Sequence, residues 1–219
     1  MKAALAEGAD PNGWIDQEQK TPLIIIAALW ADPDSIKALL AAGANPNSRA
    51  KSRNKSVENP SPLDMLAFSE NERALESIDV LIAAGANVED SMLLSGACWR
   101  GDIVFYQRIK KLAGLLLADA DNNNCLHHAA KMNRVELLSF LLISDDPDKE
   151  AFNALLAAVN QQQNTPLDIA IVYGHTEAAL IIMSAAGVSN NPQIERYLRR
   201  LPASPSAVTL RNRLMPATR

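Results

Sequence analysis

The sequence predicts an all-α fold built as a linear stack of helix–turn–helix units. Three observations predict it. One phrase recurs along the chain, a second phrase alternates with it, and the stretches between them carry aliphatic residues at helical spacing. Hydrophobic residues make up 48% of the chain but aromatic residues only 5%, so the core is made of Ala, Leu, Ile and Val. Abundant alanine favours helices and lets them approach one another closely.

The first phrase is Leu39-Leu40-Ala41-Ala42-Gly43-Ala44-Asn45-Pro46-Asn47, and it returns as Leu81-Ile82-Ala83-Ala84-Gly85-Ala86-Asn87-Val88-Glu89. An earlier copy is Leu5-Ala6-Glu7-Gly8-Ala9-Asp10-Pro11-Asn12, and a worn one is Ser184-Ala185-Ala186-Gly187-Val188. The second phrase is Thr21-Pro22-Leu23, Ser61-Pro62-Leu63 and Thr165-Pro166-Leu167-Asp168-Ile169-Ala170. Its weaker forms are Asn124-Cys125-Leu126-His127-His128-Ala129-Ala130 and Met92-Leu93-Leu94-Ser95-Gly96-Ala97-Cys98. Leu23, Leu63, Leu94, Leu126 and Leu167 are 40, 31, 32 and 41 residues apart, a period near 33 that carries two long insertions.

Each phrase has a physical role. Thr or Ser ahead of Pro caps a helix whose first turn tolerates proline. The apolar residues that follow form a short inner helix, and a turn such as Gly101-Asp102 or Gly174-His175 leads to a second, outer helix. That helix ends at Gly43, Gly85 or Gly187, where a left-handed residue stops it. Each unit then buries its apolar face only against its neighbours.

These residues resemble the ankyrin-repeat family over roughly positions 1 to 190. The resemblance implies helix–turn–helix repeats joined by finger loops. It places His127 where the family carries a histidine that supports hydrogen bonds between repeats. No copy holds the full Thr-Pro-Leu-His-x-Ala phrase, and only Thr165 to Asn190 comes near the family pattern. The expected organisation is a half-repeat over 1–20, repeats near 21–60, 61–90, 91–123, 124–164 and 165–190, and a basic tail over 191–219. The first unit lacks an inner helix, because Lys2 to Glu7 already reads as an outer one. That leaves three readings open: a fragment, an upstream start, or an N-terminus packed on a partner.

The insertions are expected in loops. Ser48 to Asn59 enlarges one finger and places Arg49, Lys51, Arg53 and Lys55 at alternate positions, on one side of an extended hairpin. Ser144 to Asn164 adds a turn at Pro147 and a helix over Lys149 to Asn160 with a stripe of Ala151, Leu155, Leu156 and Val159. In the tail, Pro192 to Leu201 is expected to form a capping helix and Pro202 to Arg219 to be flexible.

Charge and composition exclude several function classes. The net charge of −4 and pI near 5.4 argue against general nucleic-acid binding. The tail differs: Arg196, Arg199, Arg200, Arg211, Arg213 and Arg219 against Glu195 give it +5 and leave −9 for the body. An acidic surface is its expected contact, although a solubilising role suits it better. No apolar run reaches the ~20 residues of a membrane span, and Met1 to Glu7 carries no secretory signature. Cys98 and Cys125 sit inside apolar segments without a framework spacing, which predicts reduced thiols and a cytoplasmic setting. The divergent alanine-rich repeats suit a bacterial protein, including one delivered into a host cell.

No residue pattern points to catalysis, a metal or an obligatory cofactor. His127 and His128 point ~100° apart on a helix and do not form a natural metal pair. Cys98 and Cys125 read as packing residues rather than nucleophiles. Asp119-Ala120-Asp121 echoes the acidic pair some glycosyl-transferring enzymes use for a metal. It lies in a finger without a nucleotide-binding fold, so it reads as a solvated loop. There is no Gly-rich phosphate loop and no Gly-x-Ser-x-Gly elbow.

The function this predicts is non-catalytic recognition of another protein through finger loops and the inner-helix face. Candidate contacts are the finger residues Arg49, Lys51, Arg53 and Lys55, with Trp14, Trp30 and Trp99 as aromatic anchors. Trp14 is preferred among these because Asn12-Gly13 and Asp16-Gln17 around it are polar. The alternative is the recognition part of a larger effector or enzyme.

Overall fold

The structure is a computed structural model that describes residues 2–15, 20–50, 59–89, 91–113, 118–143, 149–187 and Val208. Among these residues it is all-α, with twelve helices and one isolated β-bridge between Trp14 and Pro22. The chain divides into two compact units, Met1–Ala97 with Gln107–Leu115, and Cys98–Tyr106 with Leu116–Arg219.

The first unit holds α1 (Lys2–Ala6), α2 (Leu23–Leu29), α3 (Pro33–Ala41), α4 (Pro62–Ala67) and α5 (Ala74–Ala83). Inner helices α2 and α4 pack together, as do outer helices α3 and α5, and α1 meets α3 as an outer helix should. Their contact is made of Ile24, Ile25, Ala28, Ile36, Leu39, Leu63, Leu66, Ile78 and Leu81, all buried. Ser61 caps α4 through a reciprocal box, its hydroxyl accepting from the Asp64 N–H while the Asp64 carboxylate accepts from the Ser61 N–H at 2.7 Å. The other Asp64 oxygen accepts from the Met92 N–H at 2.7 Å and so ties this repeat to the next. Thr21 departs from its expected role. Pro22, extended at ψ 143 and bridged to Trp14, is the residue before α2, and no side chain caps that helix.

The recurrent Asn residues explain why the first phrase repeats. Asn12 Nδ2 donates to the Gly43 carbonyl and its Oδ1 accepts from the Asn45 N–H; Asn47 does the same to Gly85 and Asn87, one repeat on. Finger loops are thus stitched by one side chain each, in the same register. Gly43, Gly85 and Gly187 all have positive φ (95°, 87° and 64°), as the helix-stop reading requires. Gly96 has a different reason to be glycine: a Cβ there would lie 2.3 Å from the Ala67 carbonyl oxygen, so α6 (Leu93–Arg100) approaches α4 backbone to backbone.

The second unit is built from α8 (Cys125–Lys131), α9 (Val135–Leu142), α10 (Lys149–Leu155), α11 (Pro166–Val172) and α12 (Thr176–Ala185); α6 and α7 (Ile103–Ala113) contribute residues to both units. Inner helix α8 packs on α11, and outer helix α9 on α12. Thr165 and Asp168 repeat the capping box of Ser61 and Asp64. The sharp turns into the outer helices share a left-handed residue: Gly101, Asn133 and Gly174 here, with Ala31 as its counterpart in the first unit.

Two expectations are corrected. The helix expected over Lys149 to Asn160 stops at Leu155 with Phe152 as its buried anchor; of the stripe read from the sequence, Leu156 is buried just beyond the helix and Val159 is exposed. Phe152 reaches a cluster with Tyr106 at a centroid distance of 6.3 Å, while the chain beyond Leu156 turns into a finger. Cys98 and Cys125 are not reduced thiols but a disulfide, with Cα atoms 5.2 Å apart. It joins α6 to α8 inside the buried row of inner helices, which removes the cysteine ground for expecting a cytoplasmic setting. Among the described residues no helix is long and apolar enough to cross a membrane.

Candidate functional site

In the second unit, inner helices and fingers together form a groove of about 360 Å³. Its floor is His127, Lys131, Ile169 and Tyr173, and its walls are the finger residues Asp121 and Gln162. The walls are rigid because the two fingers repeat one design. The Asp119 carboxylate accepts from the Asp121 and Asn123 N–H groups, and the Asn160 side-chain carbonyl accepts from those of Gln162 and Asn164. Asn160 Nδ2 donates to Asn123 Oδ1 at 2.9 Å, and the Gln161 N–H donates to the Asp121 carbonyl at 2.8 Å.

His127, 1% exposed, locks the floor to the walls. Its Nε2–H donates to the Asn164 carbonyl at 2.9 Å, and its Nδ1 accepts from the Asn124 N–H at 3.2 Å in the α8 capping box. The Asn164 carbonyl can only accept, so Nε2 carries a proton, while Nδ1 also lies 2.9 Å from the Asn124 side-chain oxygen. Burial pushes the imidazole pKa below its ordinary value. At the mouth, Tyr173 is 51% exposed and its ring stacks on His175 at 6.1 Å, with the Lys131 ammonium 5.8 Å from its centre. The His175 Nε2–H donates to the Lys131 carbonyl at 3.0 Å, so an exposed aromatic face is held in place.

Two family comparisons bear on this arrangement. A model described as ankyrin repeats, in three copies, matches residues 94–194, and one described as an ankyrin repeat matches 18–51. The chain belongs to the ankyrin-repeat family. No curated protein matches it. Ankyrin repeats generally mediate protein–protein interaction.

Within this ankyrin array the sequence-predicted residues have separate fates. Trp30 is 73% exposed and lines an apolar groove of the first unit. Trp14 is 49% exposed, with the Lys20 ammonium 5.1 Å from the centre of its ring; it flanks that groove through its neighbour Ile15. Trp99 is half-buried. Its carbonyl accepts from Arg134 Nε at 2.7 Å, and the Arg134 guanidinium lies 5.8 Å from its ring centre. Arg49 donates to the Asn59 carbonyl at 2.9 Å and sits 3.8 Å from the Asp64 carboxylate, so it closes the base of its own finger. Lys51, Arg53 and Lys55 lie outside the described residues, as do Arg196, Arg199, Arg200, Arg211 and Arg213.

Asp119 also departs from expectation. It is not a solvated loop residue: its side chain is 8% exposed and 3.0 Å from His128 Nε2. Burial alone would raise its pKa, but hydrogen bonds from His128 and Asn123 and the His128 charge outweigh that and hold it at about 2. A carboxylate lowered in the folded state stabilises above its unfolded value, and that contribution is lost as pH falls through the folded one. Asp119 therefore contributes about 2 kcal/mol that disappears between about pH 4 and pH 2. His127 acts at a higher pH: kept neutral by burial, it opposes folding once the unfolded chain can protonate below about pH 6.5. Urea titrations at pH 7.5, 5 and 3 are expected to show stability falling at each step, with Asp119→Asn abolishing most of the lower one.

Tyr173, Lys131 and Gln162 were not singled out in the sequence, and Asp121 was read there only as part of a solvated loop. The available signal was Val172-Tyr173, two large side chains placed just ahead of the Gly174-His175 turn, and they are 58% and 51% exposed.

Proposed function

We propose that this ankyrin array is a non-catalytic adaptor that holds a segment of a partner protein in the groove between α8, α11 and their fingers. The observation that carries the reading is Tyr173, an aromatic face half exposed yet fixed on both sides, at the mouth of a groove whose two fingers are hydrogen-bonded to each other and to His127. A partner meeting that surface loses little entropy on the protein's side, and rigid aromatic anchors of this kind dominate binding energy. Asp121, Lys131 and Gln162 around it offer both charge signs and an amide for register. The finger carrying Lys51, Arg53 and Lys55, with Arg49 at its base, is a separate candidate contact for an acidic segment. The basic tail serves solubility.

The test is co-purification from lysate with the wild type, a groove variant (Gln162→Ala with Tyr173→Ala), the finger variant Arg49→Glu/Lys51→Glu/Arg53→Glu/Lys55→Glu, and Val104→Glu. Val104 is 71% exposed on outer helix α7 and serves as the control. The reading expects a protein retained by the wild type and Val104→Glu and reduced at least tenfold by the groove variant, since anchor truncations cost ~1.4 kcal/mol or more. Equal retention by the groove variant overturns it.

A further inference from the structure

Two charges in the groove of the second unit are handled differently from those on the outer helices. On the outer helices of the first unit, opposite charges meet across repeats: Lys37 with Glu76 at 3.0 Å, Arg73 with Asp34 at 3.1 Å and Arg108 with Asp79 at 2.8 Å. In the groove, Asp121 and Lys131 line one space and are both exposed, yet neither has an ion-pair partner among the described residues. The neighbouring Asp119 carboxylate is taken up by His128, 3.0 Å away. Asp121 lies in the finger ahead of α8, and Lys131 is the last residue of that helix, so the helix stands between them and spans about 9 Å. The same groove is lined by an apolar strip of α11, Ile169 and Val172 with the cap residue Tyr173. Gln162 is the remaining loose polar group. The side chains of Asn123, Asn160 and Gln161 are bonded within the fingers, whereas the exposed Gln162 amide has no side-chain hydrogen bond among the described residues.

We propose, resting on the partner reading of this groove, that it holds an extended segment carrying three side chains at alternate positions: a basic one at Asp121, an apolar one against Ile169 and Tyr173, and an acidic one at Lys131. Size favours an extended chain. The groove, about 360 Å³, is smaller than one turn of α-helix, which at ~10 Å across and ~5.4 Å tall fills roughly 420 Å³. An extended chain puts residues i, i+2 and i+4 on one side and covers about 13 Å between the first and last, enough to pass α8 and reach the finger. Its backbone N–H and C=O groups arrive unpaired, and the Gln162 amide offers them a donor and an acceptor. A helix arrives with those groups already bonded. Charge then fixes the register, because a segment of one sign is attracted at one end of the groove and repelled at the other.

The test uses the full chain and three capped nine-residue peptides with leucine at the centre. The flanking alternate positions carry lysine and glutamate in the first, lysine at both in the second, and glutamate at both in the third. Calorimetric titration is expected to show the mixed peptide binding about fivefold more tightly than either single-sign peptide. Asp121→Lys keeps the backbone carbonyl that accepts from the Gln161 N–H, so the finger is retained, and circular dichroism checks it. That variant is expected to bind the glutamate peptide best, and Lys131→Glu the lysine peptide best. Val104→Glu, an equal change of net charge on an outer helix, is expected to leave the order of the wild type. Equal affinity for all three peptides, or an order that Asp121→Lys and Lys131→Glu do not change, overturns the charge assignment. Tighter binding by a helical peptide with the two charges seven residues apart overturns the extended form. If no peptide binds while a partner protein is still retained through Tyr173 and Gln162, this occupant is wrong and the partner reading of the groove stands; if both are absent, both fall.

Discussion

Reducing the Cys98–Cys125 disulfide is expected to lower the stability of the second unit by about 3.5 kcal/mol. The bond closes a loop across a sequence separation of 27, and removing that closure restores conformational freedom to the unfolded chain. Cys98 and Cys125 are 0% and 1% exposed, so no solvent contact compensates for the loss. Cys125 is also the first residue of α8, next to the Asn124 cap, and its release loosens the end of the helix that carries His127. Urea denaturation with and without dithiothreitol measures the shift. Intact mass after maleimide labelling in denaturant reports the bond itself: no label before reduction and two afterwards. Two labels without reductant, with an unchanged midpoint, would contradict the pairing.

His127→Leu is expected to cost about 2 to 3 kcal/mol despite its apolar fit. The substitution leaves the buried Asn124 N–H without its acceptor and takes from the Asn164 carbonyl the donor that joins floor to finger. Asn164 keeps the bond from the Asn160 N–H, so the finger loosens rather than detaches. His127→Gln, with one donor and one acceptor at similar reach, is expected to recover at least half of the loss. Amide hydrogen exchange gives the local readout. Protection is expected to fall over residues 158–164 in His127→Leu and to remain near wild type over the finger at Asn45 and Asn47.

The repeat architecture was legible because its signals are local. Ser61 and Thr165 ahead of proline, the glycines with positive φ and the recurrent Asn of the fingers each do the structural job their spacing implies. His127 likewise makes the hydrogen bond between repeats that its position predicted. Features that depend on side chains from neighbouring repeats were harder to read. Cys98 lies four residues after Leu94 and Cys125 one before Leu126, so in repeat register they are more than a helical turn apart. Only the packing of α6 beside α8 brings their sulfurs together. Asp119 looked like a solvated finger residue because its partner, His128, belongs to the helix behind it. The helix expected over Lys149 to Asn160 failed for a related reason, since Asn160 is claimed by the finger it anchors. Of the three tryptophans, exposure separates Trp14 and Trp30 from Trp99, and nothing in the sequence marked Arg134 as the side chain that covers the last.

The central claim is that a partner protein occupies the groove beneath Tyr173. Placing the photoreactive residue p-benzoylphenylalanine at position 173, and separately at position 104 on an outer helix, tests it most directly. The account predicts one protein cross-linked from position 173 and not from 104, with its attachment mapped to a single segment and suppressed by Gln162→Ala. Cross-linking of the same protein with equal yield from both positions, or from 104 alone, would contradict it.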